Sequence, residues 1–161
     1  MGRNLEGGCT CGKVRYRLKA EPMIVHCCHC TWCQRETGSA FVINAVIETS
    51  EVDLLGEPPE IVPTPSASGK GQPIARCPTC HVAVWSHYPN AGDLAAFVRV
   101  GTLDDKAALA PDVHIFTSSK VPWLDLTDGK PAFGEFYPDP REVWTREASK
   151  RWKALMTARG T

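Results

Sequence analysis

At 161 residues, with 43% hydrophobic and 22% charged side chains, the chain is sized for one domain with a real core. Eighteen basic residues balance eighteen acidic ones, so there is no electrostatic footprint for nucleic acid or for an anionic membrane surface. No apolar run is long enough to span a bilayer, and the N-terminal stretch lacks the apolar region of a secretory signal. The expectation is a cytoplasmic protein with reduced thiols. Its eight cysteines, all within the first 80 residues, then read as metal ligands rather than as a disulfide framework.

Cys9-Thr10-Cys11 comes first, set between Gly7-Gly8 and Gly12. Residues 13–19 alternate, with Val14, Tyr16 and Leu18 on one side and basic residues on the other, which predicts a half-buried strand. A second cluster, Cys27, Cys28, Cys30 and Cys33, follows. Residues 41–47 are apolar and β-branched and predict a more buried strand. The Pro-, Ser- and Gly-rich stretch 56–73 predicts a long loop or irregular hairpin. Short strands at 74–76 and 82–85 flank Cys77-Pro78-Thr79-Cys80, as in a zinc-ribbon hairpin. Residues 94–100 and 114–117 predict further strands. Residues 104–110 (DDKAALA) predict a short capped helix ended by Pro111, and Asp128-Gly129 a turn. From Arg141 onward Trp144, Ala148, Trp152 and Leu155 recur at helical spacing. This predicts an amphipathic C-terminal helix packed on its own domain, with a homodimer contact as the alternative.

The cysteine spacings divide the ligands. Short thiolate spacings let one turn present two sulfurs to one ion, and a tetrahedral site draws a second pair from elsewhere. Cys9, Cys11, Cys77 and Cys80 together make a closed four-thiolate site, which is structural. The rival reading of Cys77 and Cys80 as a redox pair lacks the helix of a thioredoxin-like unit. In the middle cluster, adjacent Cys27 and Cys28 point to opposite sides of an extended chain. Cys28, Cys30 and Cys33 are therefore taken as the ligands, with Cys27 a buried free thiol. Three ligands leave an open fourth position, as in catalytic zinc sites. A three-thiolate zinc favours a soft exogenous thiolate over activation of water, which points to sulfur–carbon chemistry. A second closed site, completed by Cys27, His26 or His29, remains the alternative.

These segments resemble the glutathione-dependent formaldehyde-activating (GFA) family, also seen in centromere protein V. The resemblance lies in GGCTCGKVRY from Gly7, CHCTWCQRETGSAF from Cys28, RCPTC from Arg76 and PDVHIFTSSKVPWLDLTDGKPAF from Pro111. It covers residues 1–138 as a zinc-binding domain and leaves 139–161, the C-terminal helix, outside. It implies an all-β, mainly antiparallel β-tent-like fold with two zinc sites. Positions Cys9, Cys11, Cys77 and Cys80 would hold structural zinc, and Cys28, Cys30 and Cys33 catalytic zinc. The implied activity is that of a carbon–sulfur lyase that joins glutathione to formaldehyde as S-(hydroxymethyl)glutathione. One position departs from the family: a glycine usually follows the C-x-x-C, and here it is His81. A left-handed knuckle would cost this residue about 1 kcal/mol.

The expected function is a zinc-dependent enzyme acting on a glutathione-like thiol and a small aldehyde. A non-catalytic zinc module that binds a protein is the alternative. His114 is a candidate pocket residue or proton relay, and Arg35 a candidate for a substrate carboxylate. Thr37, Gly38 and Ser39 are read as a loop offering donors, and Trp32 and Trp123 as candidate pocket walls.

Overall fold

Alternation along the strands decides the architecture. In the computed structural model, residues 5–160 are described. They form β1 (Leu5–Gly8), β2 (Arg15–Leu18), β3 (Ile24–Cys28), α1 (Thr31–Thr37), β4 (Val42–Glu48), β5 (Val52–Leu54), β6 (Glu60–Thr64), β7 (Gln72–Arg76), β8 (Ala83–Tyr88), β9 (Gly92–Arg99), β10 (Val113–Ile115) and α2 (Arg146–Ala158). The protein is thus mostly β, with two helices and no closed barrel among the described residues. Among the described residues no helix is long and apolar enough to cross a membrane.

The strands form a three-stranded sheet, β1-β2-β5, and a seven-stranded sheet in the order β10-β3-β4-β9-β8-β7-β6. Every pairing is antiparallel except β10 with β3. The parallel pair is possible because a long connection separates these two strands in the chain.

The larger sheet is covered on both faces. On one face Val25, Ala45, Ile47, Ala96 and Val98 pack against Leu5, Tyr16 and Leu18 of the small sheet. On the other, Ile24, Cys28, Val42 and Val46 pack with Tyr137, Trp144, Ala148, Trp152 and Leu155 from the C-terminal segment. The apolar stripe of α2 therefore lies on its own chain. Trp144 stands just before the helix, and its ring meets Trp152 edge to face with centroids 5.6 Å apart. Thr145 caps the helix by accepting from the Ala148 N–H at 3.1 Å. Arg151 fastens it, donating to Glu48 Oε1 at 2.7 Å and to the Glu21 carbonyl at 2.8 Å.

The structure corrects two local expectations and decides between the alternatives for a third. Residues 104–110 form bends and a turn, not a helix. Asp104 is drawn to Arg15, and Asp105 accepts from the Ala107 N–H at 3.0 Å in a local turn. Seven residues ahead of a proline do not repay helix nucleation. Of the loop and the irregular hairpin expected for 56–73, the structure has the hairpin: Ile61, Val62 and Pro63 of β6 pair in register with Ala75, Ile74 and Pro73 of β7. Thr37 ends a helix rather than opening a loop, and Gly38 caps it in the left-handed conformation at φ 62°.

Acid should release the C-terminal helix. Burial raises the Glu48 carboxyl, and the Arg151 guanidinium outweighs it, leaving the group below its ordinary 4.5. A depressed folded-state value stabilises the fold above the unfolded value, and this contribution is lost as pH falls through the folded one. Tryptophan emission from Trp144 and Trp152 should therefore shift below pH 4.5 in the wild type, and the Glu48→Gln variant should lose that component.

Candidate metal centres and cavity

The turn after β1 brings Cys9 and Cys11 to the turn between β7 and β8, where Cys77 and Cys80 lie. The four Sγ atoms fall within 4.8 Å of one another. Cys9 and Cys11 are 3.5 Å apart, and Cys11 and Cys77 3.6 Å. Four sulfurs at a Zn–S distance of about 2.3 Å stand about 3.8 Å apart in a tetrahedron, so the donor set fits zinc. Backbone donors support it: Val14 N–H reaches Cys9 Sγ at 3.3 Å, and Thr79 N–H reaches Cys77 Sγ at 3.4 Å. Gly8 permits this close turn, since a Cβ there would lie 2.3 Å from the Val14 carbonyl. His81 takes the left-handed knuckle at φ 63° and donates to the Cys77 carbonyl at 2.9 Å.

The second sulfur cluster is built at the junction of β3 and α1. Cys28, at the end of β3, lies within 4.8 Å of Cys30 and Cys33, sulfur to sulfur. Cys30 is the N-cap of α1, and its Sγ accepts from the Cys33 N–H at 3.3 Å. Gln34 anchors the junction by donating to the His29 carbonyl at 2.8 Å and to the Ser119 carbonyl at 2.9 Å. Hydrogen bonds from Cys28 and Cys33, joined by the backbone N–H groups of Cys33 and Trp32, push Cys30 down to about 2. Sharing with Cys30 leaves Cys28 pushed up to about 12. These are three soft donors with the spacing of a zinc turn, and they fit an ion with a free fourth position.

Cys27 points the other way. Its Sγ is buried 3.5 Å from His29 Nε2, and burial pushes it up to about 12. His29 Nε2 is 3.0 Å from His114 Nδ1, and His114 Nε2 is 2.8 Å from Asp128 Oδ2. Cys27, His29 and His114 thus form a third group of potential ligands. Asp128 fixes the His114 tautomer by accepting from its Nε2–H, and the His29 ring then donates to His114 Nδ1. His29 Nδ1 has no partner.

A cavity of about 360 Å³ opens beside the second cluster. Cys28, Cys30 and Cys33 lie in its wall, with His26, Asn44, Gln72, Tyr88 and Phe97 from the sheet. Phe136, Tyr137, Trp144 and Trp152 close it from the C-terminal segment. His26 Nε2 and Tyr137 Oη are 2.8 Å apart, and Trp144 Nε1–H donates to the same oxygen at 2.6 Å. Burial lowers His26 to about 4, so its ring is neutral. Beneath the wall, buried Arg99 donates to Asn44 Oδ1 at 2.6 Å and Ser86 Oγ at 2.8 Å.

Of the other candidates, Trp32 lines this cavity. Trp123 is 74% exposed and does not. Arg35 is exposed and outside the lining, as are Thr37, Gly38 and Ser39. His114 belongs to the Asp128 chain instead. Sequence reasoning weighed His26 only as a fourth ligand of a closed site, and missed Asn44, Gln72, Phe97, Phe136 and Tyr137. The aromatic run at 133–137 was the visible signal for the last two.

The glutathione-dependent formaldehyde-activating enzyme family model matches residues 4–119. A Halomonas elongata protein named "Putative glutathione-dependent formaldehyde-activating enzyme" is 25% identical over 127 residues, covering 76% of this chain and 80% of that one. A crystal structure of a Rhodobacter sphaeroides protein aligns with a TM-score of 0.45 at 18% identity, covering 62% of this chain and 88% of that one.

Burial sets an order of alkylation in the folded protein as purified, its four-cysteine site left intact. Iodoacetamide should reach the half-buried Cys30 and Cys33 at the cavity wall before the buried Cys27. Cys27, raised by burial, should stay unmodified until the protein unfolds, as peptide mass mapping will show.

Proposed function

The chain belongs to the glutathione-dependent formaldehyde-activating enzyme family, and we propose that it is a zinc-dependent carbon–sulfur lyase acting reversibly on a glutathione-like thiol and an aldehyde. The observation that carries this reading is the trio Cys28, Cys30 and Cys33 in the wall of a cavity, with three donors rather than four. The four sulfurs of Cys9, Cys11, Cys77 and Cys80 are, in contrast, a complete set.

In this reading Cys9, Cys11, Cys77 and Cys80 hold a structural zinc, and Cys28, Cys30 and Cys33 hold a second, catalytic one. Bound by three thiolates, zinc supplies affinity for a soft thiolate at neutral pH. The chain's own residues do the rest. Trp32 and the C-terminal aromatic wall exclude water from the reacting pair. A carbon–sulfur bond forms as the carbonyl π bond breaks, and the thiol proton ends on the former carbonyl oxygen. The hydrogen-bonded pair of His26 Nε2 and Tyr137 Oη stands at the cavity wall where that proton can be relayed. Nothing is oxidised or reduced, and reversal returns thiol and aldehyde.

A non-catalytic zinc module remains the rival, and metal content with spectroscopy separates the two. Cys30→Ser should lose one equivalent of zinc and thiol-dependent turnover while keeping the fold. Cys77→Ser should lose soluble protein or melt far lower, since a structural zinc contributes on the order of 10 kcal/mol or more. In the cobalt-substituted protein, a small thiol should strengthen the sulfur-to-cobalt charge-transfer band. A spectrum indifferent to every thiol would favour the binding module.

A further inference from the structure

The cavity beside the cysteine trio is built for an uncharged guest. Among the described residues, none of its lining side chains is Lys, Arg, Asp or Glu. Its walls are Trp32, Phe97, Phe116, Phe136, Trp144 and Trp152, interrupted by neutral polar groups. One of these, Gln72 Oε1, is buried with no hydrogen-bond partner among the described residues. It is a neutral acceptor able to take a hydroxyl or amide N–H. Arg99 is not part of the lining, and Asn44 and Ser86 occupy two of its nitrogens.

Size argues the same way. A volume of about 360 Å³ is on the order of ten water volumes at about 30 Å³ each. Formaldehyde, with two heavy atoms, leaves most of it unfilled. Glutathione carries two carboxylates and an ammonium, and burying these against aromatic walls without partners would oppose binding. Four of the lining residues, Phe136, Tyr137, Trp144 and Trp152, also lie beyond 119, outside the stretch matched by the family model. Tyr137, Trp144 and Trp152 are held there by the helix contacts and by the Trp144–Tyr137 hydrogen bond.

We propose that this cavity is a specificity pocket for an uncharged, mainly apolar group of aromatic size, carried by the substrate next to the carbon–sulfur bond being made or broken. The assignment rests on the proposed chemistry of the trio and narrows its substrate. The group belongs either to the aldehyde, with glutathione extending into solvent, or to the thiol.

Two measurements on full-length protein separate the pocket from the chemistry. Saturation-transfer NMR with benzyl alcohol reports the pocket without any thiol. Signal is expected in the wild type and should fall at least about fivefold in Phe136→Ala and in Trp152→Ala. Phe136 is 48% exposed, so its variant keeps the fold if Trp152→Ala does not. Titration of the cobalt-substituted protein reports the centre. Benzyl mercaptan should bind at least about tenfold tighter than 2-mercaptoethanol, and Phe136→Ala should remove that preference. Turnover of glutathione with phenylacetaldehyde, against formaldehyde with benzyl mercaptan, tells which partner carries the group.

A cobalt band that responds to thiols without preference for the benzyl compound, with no benzyl alcohol signal, overturns the pocket and leaves the carbon–sulfur reading standing. A benzyl alcohol signal with no thiol response overturns the carbon–sulfur reading and with it the pocket's role in specificity, leaving an apolar binding site alone. Glutathione and formaldehyde turning over at least as fast as every apolar pair, with no effect of Phe136→Ala, also overturns the pocket.

Discussion

The pleat of the seven-stranded sheet is the constraint on which the rest depends. Successive side chains on a strand face opposite ways, and both faces of this sheet are covered. On β3, Val25 enters the core under the small sheet, while Ile24 and Cys28 enter the core under α2. Register extends this across the sheet: His26 lies beside Asn44, and Asn44 beside Arg99. One face therefore receives the polar groups around the cavity. The other receives Cys9 and Cys77. A slip of one residue in β3 would exchange Cys27 for Cys28 and dismantle the trio.

The two sulfur clusters thus serve different cores. Cys9 and Cys77 are buried between the sheets, so a metal held there would staple the start of the chain to the β7–β8 turn. The trio sits where a strand ends and a helix begins, with its donors turned to a cavity. Helix α1 is only seven residues long and has little stability of its own. Gln34, bonded to the His29 and Ser119 carbonyls, and the Arg76–Glu36 ion pair hold it in place.

The C-terminal segment completes the cavity rather than the fold's centre. Thirteen residues of isolated helix are marginal in water, so α2 depends on docking Trp144, Ala148, Trp152 and Leu155. Its aromatic side chains contribute both the docking energy and the cavity wall. The cavity is therefore shared: the cysteine trio, Trp32, Phe97 and Phe116 come from the family-matched stretch, and Phe136, Tyr137, Trp144 and Trp152 from the segment beyond it.

Cysteine spacing marked the sulfur clusters because turn geometry is local: C-x-C and C-x-x-C place two sulfurs together whatever the surrounding fold. Alternation marked the strand around Tyr16 and the buried strand after Phe41, and 3.6-residue periodicity marked α2. Local signals failed where tertiary contacts decided. Strand β3 shows no alternation because both its faces are buried. Helix α1 has no apolar stripe, since none of its residues is buried. DDKAALA favours helix, yet Arg15 and a local turn claim its aspartates. The cavity was the least legible feature. Its residues come from positions 26 to 152, and no spacing rule links His26 to Tyr137 across 111 residues. Sequence by itself determined which cysteines each turn brings together, because that depends on donor type and local reach. Only the tertiary structure decided what stands beside them, because register and helix docking choose the neighbours.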